Sequence, residues 1–248
     1  MAKSMSLLWG AGSPPCWRVM ITLEEKKLQG YRHKLLSFEK GEHKSQEVLE
    51  INPRGQLPAF KHGDIILNES VAACLYLENQ FKSQGVKLIP DSPAEQALMY
   101  QRMMEGLCLT DKLNSVIYYD LFVPEEERHE SALKRNKEAL VTELKLWEGY
   151  LHKVEHEQHT HTHAHQCFFY LISAIKVAAG SYLAGAFSLA DVIVFPNTAY
   201  AFRFGLSAGR YPKLAKYYSL LKDRPSIKAS RPPQWLASPQ GHEILRDL

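Results

Sequence analysis

Residues 1–83 alternate strand and helix signals, whereas residues 92–248 carry only helical periodicity, and this change of period restricts the chain to few architectures. Ser6-Leu7-Leu8-Trp9 reads as a short apolar strand, stopped by Gly10-Ala11-Gly12-Ser13. Pro14-Pro15 suits the first turn of a helix, and Cys16–Lys27 continues it, with apolar Val19, Ile21 and Leu23 among charges and a stop at Gly30. Tyr31–Ser37 reads as a second strand. Strand, helix and strand with short joints form a βαβ unit, hence a parallel pair.

Ser45–Glu50 predicts a short helix that breaks at Asn52-Pro53-Arg54-Gly55. A hairpin follows, Leu57–Lys61 and Ile65–Leu67 around His62-Gly63-Asp64, and then a helix over Ser70–Phe81. The order β-α-β-α-β-β-α matches a thioredoxin-like α/β domain over 1–83. A two-proline linker, Gly85–Pro93, leads to an all-helical domain over 92–248. Its long amphipathic stretches are Ala94–Tyr119 and Glu125–Val154, with further helices from Ser188, near Tyr211-Pro212 and near Pro225.

Thirty basic and twenty-seven acidic side chains give a net charge of +3 without clustering, which excludes a nucleic-acid-binding face. The most apolar stretch, Cys167–Ile175, is well short of the ~18–20 residues that span a bilayer. The N-terminal apolar run is too short for a secretory signal. Cys16, Cys74, Cys108 and Cys167 lie far apart with no metal spacing, which suits a reduced, cytoplasmic compartment and implies no metal.

Glu155–Ala179 (EHEQHTHTHAHQCFFYLISAIKVAA) does not fit the helical pattern, because Val154 would join Gly180-Ser181-Tyr182-Leu183 neatly without it. Alternating His-Thr is what a CACACA repeat encodes, and the apolar run after it can be written in pyrimidine-rich codons. The segment therefore reads as a retained intron end, or, if it folds, as an irregular loop with a short helix. Metal binding by the alternating His159, His161, His163 and His165 is the weaker reading.

The chemistry centres on Ser13-Pro14-Pro15-Cys16 at a strand-to-helix joint. Thioredoxin-like redox enzymes place Cys-x-x-Cys there, since a helix N-terminus favours a thiolate. Here a hydroxyl stands in the first position. It cannot form a mixed disulfide, but it can donate a hydrogen bond to a thiolate that a ligand brings. Ser13 also reads as a plain N-cap. Cys16, inside the first turn, is either a rival catalyst or a packing residue.

Ser-x-x-Cys before a helix, Asn52-Pro53-Arg54-Gly55-Gln56-Leu57-Pro58, and Asn68-Glu69-Ser70 together resemble the cytosolic glutathione transferases, most closely the rho class, with theta, delta and zeta as relatives. The resemblance covers nearly the whole chain except the insert. It implies that Ser13 activates the glutathione sulfur. Pro58 would be a cis-proline that lets the Leu57 backbone pair with the cysteinyl unit. Glu69 and Ser70 would hold the γ-glutamyl end, with the helix start receiving its carboxylate. His43 and Lys44 would meet the glycyl carboxylate, with Gln56 and Arg54 assisting. Each also has a plainer reading, Glu69-Ser70 as a helix start and His43 as a solvated loop residue.

Glutathione would thus be a co-substrate, with no cofactor, conjugated to small hydrophobic electrophiles by a homodimer. Met104, Leu107, Cys108 and Asp111 share one helix face and are candidate walls of the electrophile pocket, though such a stripe also suits a core. Tyr118, Phe202 and Phe204 are further candidates. Ser188-Leu189-Ala190-Asp191 is a capping pattern assigned to folding. Two alternatives stay open: glutathione-dependent thiol or peroxide reduction through Cys16, and a non-catalytic ligand carrier of the same fold.

Overall fold

The computed structural model describes residues 4–160, 182–237 and 241–248, excepting the side chains of 153–160 and 236–237. The described chain divides into two compact units, Met1–Leu88 with Lys222–Gln240, and Ile89–Leu221 with Gly241–Leu248.

The first unit is built on strands β1 (Met5–Gly10), β2 (Arg32–Leu36), β3 (Ala59–His62) and β4 (Ile65–Leu67). The sheet order is β2-β1-β3-β4. β1 and β2 are parallel, as the βαβ reading requires, and β3 runs antiparallel to both β1 and β4. Helices α1 (Pro14–Glu25), α2 (Gln46–Leu49) and α3 (Ser70–Gln80) complete the thioredoxin-like order, with a 3₁₀ turn at Glu42–Lys44 before α2. Leu7, Val19, Ile21, Phe60, Ala73 and Leu77 are fully buried in its core. A buried ion pair lies at its edge: Lys26 Nζ is 2.7 Å from Glu78 Oε2 and also donates to the Val86 carbonyl at 3.0 Å.

The sequence reading placed 222–240 in the helical domain, but this segment packs with the first unit. It carries two short helices, Pro225–Ala229 and Pro233–Ala237, that belong to the same unit as α1. The cause is a set of polar anchors along α1 that periodicity does not reveal. Glu25 accepts two hydrogen bonds from Arg224, at 2.5 Å from Nε and 2.8 Å from Nη2, and one from the Ser226 hydroxyl. Losing the guanidinium leaves a buried carboxylate short of donors. Arg224→Ala is expected to reduce the free energy of unfolding by about 2 kcal/mol. Urea denaturation measures this, and an unchanged midpoint would show that the pair contributes nothing to anchoring.

The second unit contains α4 (Pro93–Ile117), α5 (Tyr119–Phe122), α6 (Glu130–Thr160), α7 (Leu189–Arg203) and α8 (Pro212–Leu221). The remaining helices, α9 (Pro225–Ala229) and α10 (Pro233–Ala237), lie in the first unit. α4 and α7 approach closely at Gly106, where an added Cβ would lie 2.9 Å from Val194 Cγ2. The Gly106 carbonyl accepts from Asn197 Nδ2 at 2.8 Å and from the Thr110 hydroxyl at 2.9 Å.

Both boundaries of α6 differ from the sequence reading. Glu125–Glu127 forms a 3₁₀ turn and α6 begins only at Glu130. At its other end, α6 runs through Thr160 and does not stop at Val154, so the first six residues of the insert are helical. Glu155–Thr160 contains neither Gly nor Pro, so nothing there ends a helix. The rest of the insert, and with it the irregular-loop, intron and metal readings, lies outside the described residues. Among the described residues no helix is long and apolar enough to cross a membrane.

Candidate functional site

The sheet topology gathers the candidate residues at one end of the first unit. β1 ends at Gly10, opposite Leu36 at the end of β2, and Leu8 pairs with Ala59 at the start of β3. β4 runs antiparallel to β3, so its last residue, Leu67, faces Phe60 near that same end. Four segments therefore emerge together: Gly10–Ser13, the loop to His43-Lys44, the approach Gln56-Leu57-Pro58, and Asn68-Glu69-Ser70. This is the carboxyl end of the parallel pair, where helix N-termini of α/β folds point.

Ser13 is the N-cap of α1, with extended backbone (φ −77°, ψ 115°), and its Oγ accepts from the Cys16 N–H at 3.4 Å. The N-cap reading is thus correct, yet it uses only an acceptor lone pair. The half-exposed hydroxyl keeps its own O–H, which turns to suit a neighbour. Cys16, by contrast, is 1% exposed and its Sγ accepts from the Gly10 N–H at 3.4 Å. Burial pushes its thiol up to about 11, although hydrogen bonds to Gly10 and Ser13 pull the other way. A thiol so placed stays protonated at neutral pH and is inert.

The peptide bond between Leu57 and Pro58 is cis. Leu57 is buried, and among the described residues neither its N–H nor its carbonyl has a backbone partner. An unpaired backbone edge of this kind can accept an extended peptide. The preceding loop is organised by Asn52, whose Nδ2 donates to the Gln56 carbonyl at 2.7 Å and whose Oδ1 accepts from the Arg54 N–H at 3.2 Å. The Gln56 side chain is exposed.

At the start of α3, Glu69 is the N-cap and makes no side-chain cap bond, so the first amides of the helix have no partner of that kind. Ala73 is the first to bond back, to the Glu69 carbonyl at 3.0 Å. The Glu69 side chain is exposed and Ser70 is buried. Ser70 Oγ accepts from Arg18 Nη1 at 3.3 Å. Arg18, 1% exposed on α1, is a residue that sequence reasoning missed. Its buried guanidinium places a positive charge beneath the α3 start. The signal available was its i, i+4, i+7 alignment with Thr22 and Glu25, a polar stripe that turns out to be buried.

His43 is not the solvated loop residue of the plainer reading. Its ring packs on Phe38 at 5.2 Å and its Nδ1 is a buried atom with no hydrogen-bond partner in the protein. Ser45 Oγ and Asn68 Oδ1 are in the same condition. Buried polar atoms left unpaired cost about 1–3 kcal/mol each, so a polar ligand or water would satisfy them. Lys44 donates to the Arg54 carbonyl at 3.0 Å. Its Cδ would lie 2.7 Å from a Cβ at Gly55, whose φ is +60°.

Of the helical residues, Met104 is 50% exposed, Cys108 and Asp111 are exposed, and Leu107 is half-buried. They do not belong to the buried stripe of α4, which includes Met99, Met103, Gly106, Leu109 and Leu113. Tyr118 hydrogen-bonds to Tyr200, whose ring meets Phe204 in a tilted contact at 4.6 Å, and Phe202 packs on Tyr218 at 5.3 Å.

The family profile described as "Glutathione S-transferase, N-terminal domain" matches residues 10–85, the span that carries all four segments. Glutathione S-transferase A of Pleuronectes platessa is 64% identical over 249 aligned positions, covering 100% of both chains. Among solved structures, a glutathione S-transferase from the Antarctic clam Laternula elliptica superposes with a TM-score of 0.78 at 34% identity, covering 98% of this chain and 99% of that one. The glutathione transferase URE2P6 of Phanerochaete chrysosporium, solved with oxidized glutathione, gives 0.72 at 26% identity over 92% of this chain and 94% of its own. With a relative that matches it from end to end and the strand ends arranged as described, this chain belongs to the glutathione S-transferase family.

Proposed function

We propose that this transferase ionises glutathione at Ser13 and adds the thiolate to small hydrophobic electrophiles. The observation that carries the reading is the contrast at the α1 start. Ser13 is half-exposed with an O–H to donate, while Cys16 is buried and protonated. The cysteinyl part of glutathione would lie along the unpaired Leu57 backbone before Pro58. Its γ-glutamyl carboxylate would meet the free amides at the α3 start and Ser70, beneath which Arg18 adds positive charge. Glu69 would face the γ-glutamyl ammonium. His43 and Lys44, with Gln56 beside them, would receive the glycyl carboxylate, and the unpaired His43 Nδ1 would gain a partner.

With the tripeptide held at both ends, the thiol lies against the Ser13 hydroxyl and the positive end of α1. Both favour the thiolate, whose proton passes to solvent. Sulfur then bonds to the electrophilic carbon and forms the thioether, as the leaving group, chloride in chlorodinitrobenzene, departs with its bonding pair. Met104, Cys108 and Asp111, exposed on α4, and the half-buried Leu107 would serve as walls for the electrophile. The chain works as a cytoplasmic homodimer and needs no cofactor, glutathione being consumed as co-substrate.

Conjugation of glutathione to chlorodinitrobenzene by the purified chain tests the reading. Cys16→Ala is expected to keep at least about half of the activity, because a protonated, buried thiol takes no part. Loss of activity in that variant, with glutathione-dependent disulfide or peroxide reduction in the parent, would establish the reductase alternative instead.

A further inference from the structure

Gly12, one residue before Ser13, is faced by α10. Its φ is +77°, and the Cβ it lacks would fall 2.5 Å from Gln234 Nε2 and 3.6 Å from Trp235 Nε1. α10 is held there by several contacts within the first unit. Trp17 Nε1 donates to Ser230 Oγ at 2.9 Å, and the Trp17 and Trp235 rings meet edge to face at 5.3 Å. The Glu25–Arg224 pair anchors the same segment further along α1. Two side chains bearing N–H groups thereby face the turn that precedes the reacting hydroxyl. Gln234 is exposed, and among the described residues its amide makes no hydrogen bond that would hold it elsewhere.

We propose that Gln234 is a specificity-determining residue that donates an N–H to an oxygen of the electrophile, selecting conjugated carbonyl compounds. This rests on Ser13 being the site of thiolate formation. In such an addition the thiolate sulfur bonds to the β-carbon of the enone. The carbon–carbon π pair shifts toward the carbonyl, whose oxygen becomes an enolate. A water proton then reaches the α-carbon, and the thiol's own proton has already gone to solvent, so no oxidant or reductant is needed. A donor at the oxygen stabilises charge that exists only as the bond forms. Substitution at an alkyl halide expels halide and puts no charge on an oxygen, so it gains nothing from this donor.

The test compares 4-phenyl-3-buten-2-one with benzyl chloride, measuring kcat/KM for the full chain and for Gln234→Ala, Gln234→Leu and Ser13→Ala, together with glutathione Kd. Gln234→Ala and Gln234→Leu are both expected to lose about tenfold on the enone, the size of one hydrogen bond, and less than about twofold on benzyl chloride. Glutathione Kd stays unchanged. The leucine variant keeps bulk without a donor, so retained enone activity in it would overturn the proposal in favour of packing. Equal losses on both substrates, or none on either, would overturn it as well. If Ser13→Ala left both activities intact, the Ser13 reading would fall, and the proposal with it.

Discussion

Ser13→Ala is expected to lower kcat/KM for glutathione conjugation by up to about tenfold at pH 7, and hardly at all at pH 9, because the variant keeps the helix end. The free thiol has a pKa of ~8.5, so about 3% is thiolate at pH 7. A charge-assisted hydrogen bond and a helix end supply together about 2.7 kcal/mol, which moves that value down by two units and makes about three quarters of it thiolate. Removing the hydroxyl returns most of the shift. At pH 9 both enzymes carry mainly thiolate, and the more basic thiolate of the variant is the stronger nucleophile, so the loss disappears. Steady-state kinetics across this range in both proteins measures the effect. A loss of the same size at every pH would mean that Ser13 only caps α1.

Asp191→Ala is expected to destabilise the protein by about 3–4 kcal/mol at pH 7. Asp191 is fully buried and completes the capping box at the start of α7. It accepts from the Ser188 N–H at 3.0 Å, the Leu183 N–H at 3.2 Å and the Tyr217 hydroxyl at 3.0 Å. Alanine leaves all three donors buried and unpaired. Burial nonetheless pushes this carboxyl up to about 6 against those hydrogen bonds. A folded-state value above the unfolded one of ~3.9 means that the native state binds the proton more tightly. The group's contribution is therefore full below about pH 4 and falls by up to about 3 kcal/mol as pH rises through 6. Urea unfolding of the parent and of Asp191→Asn between pH 4 and 7 reads this directly. Their difference should change with pH in that window, and parallel curves would contradict the buried carboxylate.

The strand and helix order was legible because sharp punctuation surrounds it. Gly10 to Ser13, Asn52 to Gly55 and Gly63 each stop an element where the structure stops it. The motif residues were legible for the same reason, since each sits next to a strand end that the turn signals locate. What stayed hidden depends on contacts between distant segments. Nothing local shows that Arg18 is buried under Ser70, that 222–240 returns to α1, or that Gln234 reaches Gly12. The end of α6 was misjudged for another reason. A change in composition at Glu155 is not a helix stop when the residues beyond it are helix-compatible.

The central claim is that Ser13 ionises bound glutathione, and its most direct test is the near-ultraviolet absorbance of the thiolate, titrated with pH in the binary complex. In the parent protein the bound thiol should ionise near pH ~6.5, and in Ser13→Ala more than one unit higher, most of the way to the free value of ~8.5. Equal midpoints in the two complexes, with glutathione bound in both, would contradict it.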